Sequence, residues 1–256
     1  MSGMGTVSVR QRSARRLAVI ADTHGNAAAL TAVLAAIEES DVDLVVSLGD
    51  STYGSEPDPT RALLESIRQP AIHIRGNGER ALFELRRGRD ANPRECWMRE
   101  HHSDATHDFL EQSVESAVVT IDGLGDVLFC HGSPRSDIEL ITQRTSEERM
   151  RALMRDVPER ILVTGHTHLQ FDRHVAGIRS INPGSVGMPY SETQGAFWAI
   201  LGPDVQLMRS EYDVEETVRA YQASGDPLAS EMVSILRSPP APEEVIAHAE
   251  SLEFRE

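Results

Sequence analysis

The chain has 256 residues, of which 40% are hydrophobic and 25% charged, a composition that is typical of a globular protein and excludes a disordered chain. Its formal net charge is -15, and every basic residue is arginine because the sequence contains no lysine. This acidic balance argues against non-specific nucleic-acid binding, which needs clustered positive charge, but it does not exclude a phosphorylated substrate. The two cysteines, Cys96 and Cys130, form no CxxC pair and predict no disulfide framework.

The N-terminal segment, residues 1–16, is polar and basic, and it predicts a mobile arm ahead of one domain at 17–256. The apolar run that follows it, at 17–21, is far too short for a signal peptide or a membrane span. We therefore expect a cytoplasmic protein with no membrane partner.

The first part of the chain alternates between buried strands and helices. Short apolar runs predict strands at 17–22, 43–50 and 71–76. Between them, Ala- and Leu-rich or amphipathic segments predict helices at 27–40 and 60–68. This order is typical of an α/β fold with parallel strands.

The remainder of the chain is more varied. Residues 79–116 are mostly helical in pattern, with a break near 88–93, and we interpret them as a helical insertion. Further strands are predicted at 117–121, 126–130 and 160–164, with a helix at 146–156. Residues 177–212 then predict antiparallel hairpins, and two or three helices follow from about residue 213.

The polar residues that matter most stand where predicted strands end. Loops at the carboxyl ends of strands in an open α/β sheet converge on one crevice, so we expect these side chains to gather there. Taken singly, a strand-end aspartate is usually a turn former or a helix cap, and a single histidine is more often structural than a ligand. The functional interpretation depends on the whole set, which is Asp22, His24, Asp50, Asn77, His131, His166 and His168.

These side chains offer imidazole nitrogen, carboxylate oxygen and amide oxygen, a combination that suits divalent metals such as Mn, Fe, Zn, Ni or Co. Seven ligands are too many for one tetrahedral structural zinc. They suit two metal ions that share a bridging carboxylate. The sequence therefore predicts a site for two divalent metal ions.

Five blocks of the sequence, in order, resemble the calcineurin-like metallophosphoesterases. They are Asp22-Thr-His24-Gly25-Asn26, Gly49-Asp50, Gly76-Asn77-Gly78-Glu79, His131-Gly132 and Gly165-His166-Thr167-His168. The segment Asn182-Pro-Gly-Ser185, which by itself indicates a turn, also resembles a segment of the smaller bacterial phosphodiesterase-like members. The resemblance covers roughly residues 17–212.

The resemblance implies a four-layer α/β/β/α sandwich with two mixed central sheets. It also implies that Asp50 bridges two metal ions, and that a metal-bridging hydroxide attacks the phosphorus of the substrate. One ion would be held by Asp22, His24, Asp50 and His168, and the other by Asp50, Asn77, His131 and His166.

Gly78 departs from the family pattern, because many members carry at this position a histidine that protonates the leaving group. Three explanations compete. Another group serves as the acid, with His101 and His102 of the helical insertion as candidates. Alternatively, the leaving group needs little help, or catalysis is weak or absent.

The second explanation predicts a substrate class. General acid catalysis typically contributes ~10²–10⁴-fold, and its loss falls hardest on basic alkoxide leaving groups. We therefore expect a small phosphorylated substrate, either an activated phosphodiester or a phosphoanhydride such as a dinucleoside polyphosphate or another nucleotide. Asn26, Tyr53 and Arg135 flank the ligand loops and are candidate substrate contacts, although Asn26 is equally well explained as a helix cap.

Three rival interpretations compete with a metal-dependent phosphoesterase. A non-catalytic scaffold of the same fold would no longer need its ligands, whereas all seven positions here carry competent ones. A serine or cysteine hydrolase lacks support, because the sequence has no Gly-x-Ser-x-Gly motif. Nucleic-acid cleavage is disfavoured by the acidic balance and by the lack of a basic stretch with interleaved aromatic residues.

Overall fold

The computed structural model describes residues 9–252, which fold into two facing β-sheets with helices on both outer sides. One sheet has the strand order β1-β5-β6-β7-β9-β8 and the other the order β11-β10-β2-β3-β4. Both sheets are mixed. In the five-stranded sheet β2, β3 and β4 run parallel while β10 is antiparallel to β2. In the six-stranded sheet β1 is parallel to β5, and β5 is antiparallel to β6. The strands are β1 Val9–Ala14, β2 Leu17–Ile20, β3 Leu44–Ser47, β4 Ala71–His73, β5 Ser116–Ile121, β6 Gly125–Cys130, β7 Ile161–Thr164, β8 Gln170–Val175, β9 Ile178–Pro183, β10 Ala196–Leu201 and β11 Val205–Ser210.

The central strands are buried on both faces, and their alternate side chains enter different layers of the core. In β2, Leu17 and Val19 pack between the two sheets, together with Phe129 and Val163 of the opposite sheet. Ile20 of the same strand points outward and packs with the helices of the outer layer. The helices are α1 Ala27–Glu38, α2 Pro57–Glu65, α3 Asn77–Arg86, α4 Pro93–His101, α5 Asp104–Glu111, α6 Glu147–Leu153, α7 Val214–Ser224, α8 Ala229–Arg237 and α9 Pro242–Ser251.

Separate apolar cores lie outside each sheet. On one side, α1 and the helices of the 79–116 segment cover the five-stranded sheet. On the other side, α6 and part of α9 cover the six-stranded sheet through Met150, Leu153 and Ile246. The predicted four-layer α/β/β/α sandwich is therefore confirmed.

Two strands correct the sequence predictions. Within the segment predicted to be a mobile arm, Val9–Ala14 forms β1 and pairs in parallel with β5; residues 1–8 of that segment lie outside the described residues. Gln170–Val175 forms β8, a strand that was not predicted, and it pairs with β9. Of the hairpins predicted at 177–212, β10 and β11 form one, whereas β9 and β10 belong to different sheets and do not pair.

Within residues 9–252, no helix has the length and apolar character required to cross a membrane.

Candidate metal centre

The seven strand-end side chains converge at one edge of the sandwich, where the carboxyl ends of strands from both sheets meet. Asp22 and His24 follow β2, and Asp50 follows β3. Asn77 opens α3 just after β4, so the five-stranded sheet provides four of the seven. The six-stranded sheet provides the other three, which are His131 after β6, and His166 and His168 after β7.

The first group of ligand atoms comes from Asp22, His24 and His168. The Nε2 atoms of His24 and His168 lie 3.0 Å apart. Asp22 Oδ1 lies 3.5 Å from His168 Nε2. All three side chains are buried or nearly so, which shields the group from bulk water.

The second group comes from Asp50, His131 and His166. His131 Nε2 lies 3.2 Å from His166 Nδ1 and 3.0 Å from Asn77 Oδ1. Asn77 thereby joins this group.

Asp50 stands between the two groups. Its Oδ2 atom lies 3.9 Å from His24 Nε2 in one group and 3.7 Å from His131 Nε2 in the other. Its Oδ1 atom accepts a hydrogen bond of 2.7 Å from the backbone N–H of Gly78, which fixes the carboxylate plane. This is the position that a bridging carboxylate requires.

Backbone carbonyls fix the tautomers of the first two histidines. A carbonyl oxygen can only accept, so His24 Nδ1 donates to Tyr53 O at 3.0 Å and His168 Nδ1 donates to Met188 O at 2.8 Å. In the neutral rings both Nε2 atoms then carry lone pairs, and these lone pairs face each other. Only a cation between them, either a proton on one ring or a metal ion shared by both, removes the repulsion.

The second group shows the same arrangement. His131 Nδ1 donates to Leu48 O at 2.6 Å, and His166 Nε2 faces Ile138 O at 3.3 Å. When both rings are neutral, the remaining ring nitrogens and the amide oxygen of Asn77 are all acceptors that point at one another. Burial lowers the pKa of His131, but attraction to Asp50 and Asp22 outweighs burial and raises it, so this position also favours a positive charge. Carbonyl partners behind histidine ligands are the usual means by which proteins orient imidazole toward a metal.

The electrostatic environment of the site favours a bound positive charge. Asp22 Oδ1 is buried and accepts no hydrogen bond from the described residues. Burial raises the pKa of Asp22, but attraction to His168 outweighs burial and holds that pKa well below its usual range. Burial and the neighbouring His131 lower the pKa of His166 to about 4, so this ring is neutral near pH 7, as a metal ligand must be. The residues present therefore fit two divalent ions.

Five of the seven residues have left-handed backbone conformations, which side chains other than glycine rarely adopt. Among the other non-glycine residues of 9–252, only Ala176 has a positive φ. Such strain persists only where the surrounding structure enforces it, and here it turns each side chain back toward a shared centre. The values are φ 53° at Asp22, 48° at His24, 48° at Asp50, 65° at His166 and 57° at His168.

Glu79 supports the centre in a role that the sequence did not reveal. It is 1% exposed, and its carboxylate accepts hydrogen bonds from the backbone N–H groups of Asp50 at 2.8 Å, Ser51 at 2.7 Å and Gly76 at 2.8 Å. One side chain therefore ties the loop after β3 to the loop after β4. The only signal in the sequence was its place in the Gly-Asn-Gly-Glu block.

The segment at 182–185, predicted to form a turn, also braces the centre. Asn182 Nδ2 donates to Gly165 O at 2.7 Å and to Thr167 Oγ1 at 3.0 Å, so it holds the loop that carries both His166 and His168. Ser185 Oγ donates to Asp22 O at 2.7 Å.

Gly78 has no room for a side chain. A Cβ atom built on it would lie 2.7 Å from Tyr53 Cβ and 2.8 Å from Asp50 Oδ1. The ring of Tyr53 thus occupies the space beside Gly78, and the guanidinium of Arg94 lies 5.6 Å from the centre of that ring. A glycine is required here by the close approach of Tyr53.

Neither candidate acid reaches the metal ligands through any hydrogen bond of the described residues. The exposed His101 ring stacks on Trp97 with centroids 4.1 Å apart. His102 is buried, with Nδ1 bonded to Met98 O and Nε2 to Thr52 Oγ1. Burial lowers the pKa of His102 to about 4, so it holds no spare proton near pH 7.

Asn26 is used entirely within the protein. Its Oδ1 accepts from Ala29 N and Thr217 Oγ1, and its Nδ2 donates to Gly187 O and Tyr212 Oη. The structure therefore favours the helix-cap role over a substrate contact.

Arg135 lies beside the centre, since it lines a cavity with His131. Its guanidinium is paired with Glu139 at 2.8 Å.

Cys130 packs inside β6 and is 1% exposed. Burial, with a contribution from Glu139, raises the pKa of its thiol, which opposes formation of a nucleophilic thiolate.

Comparison with protein families gives one match, to the model described as the calcineurin-like phosphoesterase superfamily domain, over residues 16–202. No curated protein sequence matches the chain.

Solved structures with a similar fold include a metallophosphoesterase from Sphaerobacter thermophilus, which is 27% identical with a TM-score of 0.70 and aligns over 88% of this chain and 100% of that one. A hypothetical protein from Pyrococcus horikoshii is 20% identical with a TM-score of 0.76, over 88% of this chain and 99% of that one. A phosphoesterase from E. coli is 21% identical with a TM-score of 0.51, over 75% and 92% respectively.

Proposed function

The chain belongs to the calcineurin-like phosphoesterase superfamily and is a hydrolytic phosphoesterase, and from this premise we propose that it uses two divalent metal ions to cleave a phosphodiester or a nucleotide phosphoanhydride. The observation that supports this proposal best is the pair of acceptor groups on either side of Asp50. Asp22, His24 and His168 would hold one ion, Asn77, His131 and His166 the other, and Asp50 both.

Two bound ions supply an activated water as the nucleophile and neutralise charge on the phosphoryl oxygens. The protein's own contribution is orientation. Carbonyl partners hold the lone pairs of His24, His168 and His131 toward the two ion positions. Glu79 holds the peptide of Asp50 in place, so the carboxylate that would be shared by both ions is oriented before they bind.

The proposed substrate class follows from the protein groups that surround the leaving group. Gly78 carries no proton donor, and His102 is neutral with both ring nitrogens engaged. Tyr53 fills the adjacent space, but burial raises the pKa of its phenol above the usual value and makes it a weaker acid. Without an acid whose pKa is near neutral, a basic alkoxide departs slowly, whereas a phosphate or an aryl oxide departs readily. We therefore propose that phosphoanhydrides, such as dinucleoside polyphosphates, and activated phosphodiesters are preferred over alkyl phosphomonoesters.

The test compares three substrates on purified protein with added manganese: diadenosine tetraphosphate, bis(p-nitrophenyl) phosphate and glycerol 3-phosphate. We expect metal-dependent turnover of the first two and little of the third. Equal or faster hydrolysis of glycerol 3-phosphate would refute the proposed substrate class. Metal binding without turnover of any substrate would instead indicate a scaffold.

A matched pair of variants tests the metal site itself. Asp50→Asn removes the bridging carboxylate, and we expect turnover to fall at least ~10³-fold because the charge shared by both ions is lost. Asp172→Asn makes the same chemical change on exposed β8, where Asp172 pairs with Arg179 at 2.7 Å, and should leave turnover unchanged. Metal analysis should show fewer ions bound to the first variant only.

A further inference from the structure

A cavity lies directly against the candidate metal centre. It has a volume of about 360 Å³ and is lined on one side by His166 and Thr167, and on the other by α9. Tyr190 also lines it and stacks on His168, with ring centroids 5.1 Å apart at 22°. A group attached to phosphorus at the centre therefore has this cavity as its neighbour.

The lining suits a flat organic group. Leu140, Tyr190 and Val245 provide an apolar or aromatic surface. Glu244 and His248, one helical turn apart on α9, add two polar side chains at the rim. Pockets of ~300–1,000 Å³ with mostly apolar walls and a few polar groups are the usual form of small-molecule sites.

Two further cavities fit such a group less well. One, of about 190 Å³ beside His131, is lined by Arg75, Arg80 and Arg135. These arginines form ion pairs with Glu115, Asp137 and Glu139 respectively, so its walls are charged. The remaining one holds about 10 Å³ and contains no metal ligand.

We propose that the cavity between His166 and α9 binds the planar ring of the substrate, a nucleobase or an aryl group, while the phosphate lies at the metal centre. This inference rests on the proposed function and names the part of the substrate that is recognised. The wall formed by α9 lies outside residues 16–202, so the specificity would be added by the C-terminal helices to the matched domain.

A pair of tryptophan substitutions on α9 tests the proposal. Val245→Trp fills the cavity, whereas Ala247→Trp places the same side chain on an exposed position two residues away. The probes are AMP and ribose 5-phosphate, which differ only in the base. Binding to manganese-loaded full-length protein is measured by titration calorimetry.

For the wild-type protein and for Ala247→Trp, we expect AMP to bind at least about tenfold more tightly than ribose 5-phosphate, because the base buries apolar surface. Val245→Trp should abolish this difference and leave ribose 5-phosphate binding unchanged. His248→Ala changes an exposed residue, and it should weaken AMP binding severalfold even if Val245→Trp proves unstable.

Equal binding of AMP and ribose 5-phosphate by the wild-type protein would overturn the ring pocket while leaving metal-dependent turnover, and hence the proposed function, intact. An equal loss of AMP binding in Ala247→Trp would also overturn it. If neither phosphate binds and no substrate turns over, the proposed function fails, and the pocket fails with it.

Discussion

Replacing Glu79 with glutamine should destabilise the fold at the metal centre without altering any ligand. The carboxylate accepts three backbone N–H groups, two on Oε2 and one on Oε1. Glutamine has one acceptor oxygen, so the NH2 of its amide must face at least one of these N–H groups, and no hydrogen bond forms between two donors. At best, it keeps the bonds from Asp50 and Gly76 and loses the bond from Ser51.

The magnitude follows from these contacts. A buried N–H left without a partner costs ~1–3 kcal/mol, and each retained bond loses roughly 1 kcal/mol when its acceptor becomes neutral. Removing the charge also relieves its burial and its repulsion from Asp50, the two effects that raise the pKa of Glu79, and this offsets part of the loss. We expect a net destabilisation of about 3 kcal/mol, which lowers the midpoint of thermal unfolding by roughly 6–12 °C.

The assay is thermal unfolding in the presence of a chelator, so that metal binding does not mask the effect. Glu84→Gln is the matched control, because it removes the same charge from the same helix. Glu84 pairs with Arg80 at 2.9 Å and is 38% exposed, so its loss should cost less than ~1 kcal/mol. Unfolding of Glu79→Gln within 1 °C of the wild type, or an equal loss in Glu84→Gln, would refute the reasoning.

Four further predictions concern the same centre. Gly78→His should not restore a general acid. Crowding against Tyr53 should lower the free energy of unfolding in urea by ~1–3 kcal/mol. Faster glycerol 3-phosphate hydrolysis by a stable variant would contradict this prediction. Asn26→Ala should lose ~2–4 kcal/mol of stability. Its kcat/KM, measured below the unfolding temperature, should stay within about twofold of wild type. A larger fall would indicate a substrate contact. Asn182→Ala should weaken manganese binding ~10–100-fold by calorimetry, and unchanged affinity would show that the loop at 165–168 needs no brace. Manganese at ~100 times its Kd should add roughly 2.7 kcal/mol per site to the stability of the chelator-treated protein, and an unchanged melting curve would argue against the site.

Much of the fold could be predicted because the central strands are short apolar runs. Residues such as Leu17, Val19 and Val46 are buried, and they belong to the continuous apolar runs from which strands buried on both faces are recognised. The two strands that were not predicted, β1 and β8, both lie at the edges of the six-stranded sheet. Edge strands commonly carry polar and charged residues that prevent association with other sheets, and this removes the apolar signal.

The candidate site could be predicted in part for a different reason. His131 follows β6 directly, and Asp22 and Asp50 lie two and three residues after β2 and β3, so topology alone brings them to one edge. The role of Glu79 could not be predicted, because its partners Asp50 and Ser51 lie 29 and 28 residues away and are reached through backbone N–H groups. The left-handed conformations likewise could not be predicted, because aspartate and histidine adopt them more often than most residues but still do so only rarely.

Each acceptor group contains side chains from both sheets, so the two proposed ion positions lie where the sheets meet. Asp22 and His24 come from one sheet and His168 from the other. The relative position of the sheets is set by the apolar layer between them, which includes Val46 and Phe129. A methyl group removed from that layer can therefore change the spacing of ligands that it never touches. In this protein the packing between the sheets sets the distances between the ligand atoms, and bound ions would in turn hold the two sheets together.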